Sequence, residues 1–140
     1  MKYTNLYING AWVDGADKVR FDVINPATEE VLTSVASAEI SDADSALDAA
    51  EAAMKEWAAK TPRHRSEVLR KVWELMTARL DEFANLITLE NGKAGTDARG
   101  EATYAAEFFR WFAEEAVRAD GLITHAPASG ARIMVQHKPA

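Results

Sequence analysis

Tyr104-Ala105-Ala106-Glu107-Phe108-Phe109-Arg110-Trp111-Phe112-Ala113-Glu114-Glu115-Ala116-Val117 is the stretch that decides how this chain folds. The pattern predicts a helix from Asp97, an acid suited to a helix N-terminus, to a stop near Asp120-Gly121. Tyr104, Ala105, Phe108, Phe109, Trp111, Phe112, Ala113, Ala116 and Val117 run almost all the way round it. A helix apolar on most sides is buried on most sides. Either it is the centre of a small bundle, or it packs on a surface that these 140 residues do not supply. The pattern weighs the two equally.

Three further helices are expected before it. Ser41, with Asp44 at the capping-box position, predicts a start for the first, and Ala43, Leu47, Ala50, Met54 and Trp57 share its apolar face. Thr61-Pro62 opens the second, since proline is tolerated in a first turn. Val68, Leu69, Val72, Leu75, Met76 and Leu80 form its stripe. Asp81 is expected to cap a short third helix carrying Phe83, Leu86, Ile87 and Leu89. Asn91-Gly92 ends it, because glycine accepts the left-handed cap. Trp57, Trp73 and Trp111 read as core.

Upstream, the chain reads as β. Leu6-Tyr7-Ile8 and Ala11-Trp12-Val13 flank Asn9-Gly10, a dipeptide that accepts positive φ at both central turn positions and so marks a hairpin. Phe21, Val23 and Ile24 continue an extended pattern, Asn25-Pro26-Ala27-Thr28 turns, and residues 30–35 form another strand. At the other end, residues 126–130 read as a loop and 132–137 as a strand with no sequential partner, an open edge of the kind natural proteins pair or cover. The fold class is thus α+β and mainly helical: strands in 1–36, four helices in 41–121, and a strand in 131–138.

Composition excludes several functions. A formal charge of −6 argues against nucleic acid as a partner, since phosphate backbones need a basic surface. No long apolar run suggests a membrane span or signal peptide. The absence of cysteine removes disulfides, thiolate metal sites and a cysteine nucleophile, and fits a reducing cytoplasm. His64, His125 and His137 lack metal-ligand spacing and read as surface residues. Gly92, Gly95 and Gly100 lack the spacing of a phosphate loop and follow a helix, not a strand. Glu101 is a candidate ion-pair partner of Arg99.

Several stretches, taken in order, carry a resemblance. Residues 6–13 followed by Ile24-Asn25-Pro26-Ala27-Thr28-Glu29-Glu30-Val31 resemble the opening of aldehyde dehydrogenases, as do Leu89-Glu90-Asn91-Gly92-Lys93 and Ala98-Arg99-Gly100-Glu101. Trp111-Phe112-Ala113-Glu114-Glu115 is similar to the succinate-semialdehyde branch of that family, and His137-Lys138-Pro139-Ala140 to the segment before its first cofactor-contacting strand. Ala94 and Ala140 depart from it, standing where proline and valine are commoner.

The resemblance implies the front part of an α/β aldehyde dehydrogenase that uses NAD or NADP to oxidise a small aldehyde, succinate semialdehyde above all, and that assembles as a homo-oligomer. Such enzymes work through a cysteine thiolate and a glutamate, which this chain does not contain at matching positions, so no cofactor and no catalysis are expected of it alone. Tyr104 and Phe108 match the helix lining the family's aldehyde tunnel, although Phe108 reads as well as plain core. Ile24, through its carbonyl, and Glu90 match a monovalent-cation site of some members, while Glu90 alone reads as a helix-end carboxylate. The strand at 131–138 would enter the oligomerisation sheet. A second reading is a free-standing helical interaction or assembly module derived from such an enzyme, with the fourth helix and terminal strand as its surfaces.

Overall fold

The structure, a computed structural model, describes residues 3–138; Pro139 and Ala140, which carry part of the resemblance, lie outside the described residues. The order is β1 (Leu6–Ile8), β2 (Ala11–Val13), β3 (Arg20–Ile24), β4 (Val31–Ala36), α1 (Ile40–Ala59), α2 (Pro62–Ala78), α3 (Leu80–Asn91), α4 (Gly95–Glu115), β5 (Leu122–His125) and β6 (Arg132–Val135). The strands form three two-stranded antiparallel sheets, β1-β2, β3-β4 and β5-β6.

Asn9 (φ 50°) and Gly10 (φ 79°) make the expected tight turn, which sets Tyr7 opposite Trp12. The Tyr7 ring lies 5.0 Å from the Trp12 ring, and the Tyr3 ring stacks on Trp12 at 4.9 Å. One side chain fastens the two N-terminal sheets. The Arg20 guanidinium donates to the Ser34 carbonyl at 2.8 Å and hydroxyl at 3.2 Å, to the Thr4 carbonyl at 3.2 Å and to Asn5 Oδ1 at 3.1 Å. Beside it the Ala36 N–H donates to the Thr4 carbonyl at 2.8 Å.

The helix starts differ from expectation in instructive ways. α1 is capped by Glu39, not Ser41. The Asp42 carboxylate accepts the Glu39 N–H at 2.9 Å and the Ala16 N–H at 3.0 Å, tying the 14–19 loop to the helix and outcompeting a start two residues later. Those two donors hold the Asp42 carboxyl below its ordinary range. Glu39 is pushed up, first by a hydrogen bond with Asp17 and then by that neighbour's charge. Thr61 caps α2 as expected, accepting the His64 N–H at 3.2 Å, with Pro62 in the first position. Asp81 does not cap α3; it lies in the first turn behind Arg79 and pairs with Arg99 of α4. α4 starts at Gly95, with Asp97 in its first turn, and its cap at Ala116 precedes the expected stop.

α4 packs against α2 and α3 through alanine. Ala98, Ala102, Ala106 and Ala113 are buried, the first three spaced four apart on one face, where small side chains let helices approach closely. Among the described residues no large side chain is fully enclosed. A buried methyl stabilises by only about 0.8 kcal/mol, so this seam is a light core. The expectation that helix four is buried on most sides, and that Trp57 and Trp111 are core, fails within the chain: Tyr104 is 66 % exposed, Trp111 64 % and Trp57 42 %. The bundle-centre alternative fails with it. α1 buries no residue at all, leaving Leu47, Met54 and Trp57 on an open face.

The terminal strand is not unpaired. β6 pairs with β5, a strand absent from the sequence reading, in the register Leu122↔Val135 to His125↔Arg132. His125 is therefore a strand residue, paired with Arg132. The hairpin keeps both faces exposed.

Candidate functional site

Tyr104 and Phe108 sit one turn apart on α4, so helical geometry alone sets their rings together. The ring centroids are 4.9 Å apart at 75°, an edge-to-face pair, favourable for aromatic quadrupoles. With Trp111 and Phe112 they line a shallow apolar hollow edged by Glu107. Contiguous apolar surface of this kind marks a contact or binding face. Such a wall can shape a channel and exclude water; it offers no group to transfer a proton or attack a carbonyl.

Ile24 ends β3 and Glu90 lies in the last turn of α3. Gly92 follows Glu90 as the left-handed cap of α3, at φ +72°. A Cβ at Gly92 would stand 3.0 Å from Pro26 Cγ, so the β3–β4 turn abuts the helix end. That turn is held by the Asn25 side chain accepting the Ala27 N–H at 2.9 Å and by the Asn25 N–H donating to the Glu30 carbonyl at 2.9 Å. The Glu90 carboxylate makes no hydrogen bond or ion pair with a described residue. Among the described residues no group of three or more His, Cys, Asp or Glu could hold a metal ion.

Glu101, expected beside Arg99, pairs with Lys93, while Arg99 reaches Asp81; both pairs brace the α3–α4 corner. The sequence reading missed a second concavity, the cleft between α2 and α4 lined by Arg63, Arg70, Arg110 and Arg118. Only the contact between two distant helices brings these residues together.

No helix among the described residues is long and apolar enough to cross a membrane.

With this geometry in place, the comparisons define the class. Residues 12–140 match the aldehyde dehydrogenase family, and the chain belongs to that family. Within it, the chain is 50 % identical over 109 residues to the succinate-semialdehyde dehydrogenase of Paenarthrobacter nicotinovorans, covering 78 % of this chain and 24 % of that protein. It is 45 % identical over 115 residues to the NADP(+) succinate-semialdehyde dehydrogenase of Saccharomyces cerevisiae, covering 82 % of this chain and 23 % of that one. The crystal structure of an aldehyde dehydrogenase from Brucella melitensis biovar abortus 2308 superposes with a TM-score of 0.88 at 41 % identity, over 94 % of this chain and 27 % of that one. The chain thus spans about a quarter of the length of the relatives it matches.

Proposed function

We propose that this chain is the N-terminal part of an NAD(P)-dependent aldehyde dehydrogenase that oxidises succinate semialdehyde to succinate in the cytoplasm. The observation that carries the reading is the joint match of sequence to succinate-semialdehyde dehydrogenases and of fold to an aldehyde dehydrogenase. The open faces of α1 and α4 support it, because a chain that forms part of a larger enzyme leaves its packing surfaces uncovered.

In that enzyme the role of these residues is to shape and exclude. Tyr104 and Phe108 form one wall of the aldehyde's path, keep water off it and orient a short chain by contact. Ile24 and Glu90 contribute a carbonyl and a carboxylate to a monovalent-cation site, oxygen donors suited to a hard ion. The β5–β6 hairpin offers its edges to a subunit sheet in a homo-oligomer. The nucleophile, the hydrolytic base and the nicotinamide site belong to other parts of the protein.

A chimera tests this. Residues 3–138 replace the matching segment of the Paenarthrobacter enzyme, and reduction of NAD and NADP is followed with succinate semialdehyde and with an uncharged aldehyde of equal length. Turnover with preference for the semialdehyde is expected. A folded chimera that binds cofactor yet oxidises neither aldehyde refutes the enzyme reading. Equal turnover of both refutes the substrate.

A further inference from the structure

The α2–α4 cleft differs in chemistry from the aromatic face. Four arginines line it in a chain of net charge −6. Three of them are engaged by glutamates near in sequence: Arg70 by Glu67 at 2.7 Å and by Glu74, Arg110 by Glu114 at 3.4 Å and Glu107 at 3.6 Å, and Arg118 by Glu115 at 2.9 Å. Glu67 and Glu114 also face the cleft. These pairs are substantially exposed, where water and salt leave ion pairs weak and exchangeable.

Two groups are already vacant. The Arg63 guanidinium forms no ion pair or hydrogen bond with any described residue. Ser66, 6 % exposed, has a hydroxyl that bonds no described residue, yet its oxygen is not sealed away. It lines the cleft and can donate to a group bound there. Trp73 adds a rigid side, with the Arg110 guanidinium 5.6 Å from its ring centroid, close enough for a cation–π contact that fixes this cation at the cleft.

We propose that this cleft binds a small phosphate-type polyanion. Arg63 and the Ser66 hydroxyl supply the vacant donors, and Arg70, Arg110 and Arg118 share their guanidinium forks between the glutamates and the ligand. Phosphate oxygens point in several directions and match several forks at once, whereas a carboxylate satisfies one. The inference does not depend on the dehydrogenase reading.

The test is calorimetric titration of the full chain with inorganic pyrophosphate at constant ionic strength, with succinate as comparator. One saturable site per chain is expected, weakened at least about tenfold by Arg63→Met, the scale of one charge-assisted contact. Ser66→Ala, which removes the hydroxyl with little change in shape, weakens it about fivefold. Lys55→Met on α1 leaves it unchanged, and circular dichroism confirms that each variant is folded. Absence of a saturable site, equal losses in Arg63→Met and Lys55→Met, or succinate binding as tightly as pyrophosphate each overturns the proposal.

Discussion

Replacing Arg20 with methionine keeps the aliphatic stem and deletes the guanidinium that joins the two N-terminal sheets. Four acceptors lose their donor, at 2.8 Å to 3.2 Å. Hydrogen bonds from a charged donor contribute about 1.5–3 kcal/mol each where water is excluded. Here a third of the side chain is exposed, so water replaces most of each contact, and the looser 3.5 Å pair with Asp14 adds little. The net loss reduces to about 2 kcal/mol for the whole fork. It falls locally, on the junction between residue 4 and β4. Hydrogen exchange reads it directly, because the Ala36 N–H donates to the Thr4 carbonyl across that junction. At tenfold per 1.4 kcal/mol, the Ala36 amide exchanges about 30-fold faster in Arg20→Met. Arg20→Lys recovers only part, since a point cation cannot span acceptors arranged for a planar fork. An Ala36 acceleration below about threefold, or one matched throughout α2 and α4, would sink the reasoning.

The other expectations concern separate parts of the chain. Gly121→Ala places a Cβ 2.2 Å from the Val135 carbonyl oxygen, so the β5–β6 hairpin opens; protease cutting within residues 122–135 rises while α2 and α4 stay protected, and an unchanged digest counts against the contact. The Asp42 carboxyl is lowered by the Ala16 and Glu39 N–H donors, so its stabilisation is complete above the ordinary aspartate range and disappears as pH falls through the depressed folded value. Glu39, raised by Asp17, contributes with the opposite sign, lost as pH rises through its elevated value. Protection of the Ala16 amide therefore collapses in acid, and Asp42→Asn removes that acid limb. The isolated chain self-associates through the open ring face of α4; Trp111→Glu shifts sedimentation toward the monomer, and a wild-type chain that sediments as a monomer at high concentration refutes the expectation.

What was legible in the sequence was local. Asn9-Gly10, Thr61-Pro62 and Asn91-Gly92 announce their structures because the backbone chemistry acts within a few residues, and the turn, cap and left-handed exit all occur where expected. Tyr104 and Phe108 are neighbours for the same reason. Illegible features depend on a partner far away in the chain. Ser41 is a better intrinsic cap than Glu39, but the Asp42 bridge to Ala16 moves the start. Leu122-Ile123-Thr124-His125 is too short to declare itself a strand until Arg132–Val135 pairs with it. The apolar pattern of α1 and α4 was correct as pattern and misleading as burial, because it specifies a face and not what covers it. Ile24 and Glu90 were reachable only through family resemblance, since nothing in their own spacing links them.

Gly92 and Pro26 meet with nothing between them but a ring and a backbone. A side chain at 92 would have to adopt a left-handed backbone and also press against the proline ring, so the position favours glycine on two counts. The contact acts as a fulcrum. Tilting α3 would press on the β3–β4 turn, and rotating that turn would push back on the end of α3. The placement of the α3 end against the β3–β4 turn is therefore set by a hard stop between main chain and ring, and a change at Pro26 is felt first at Gly92.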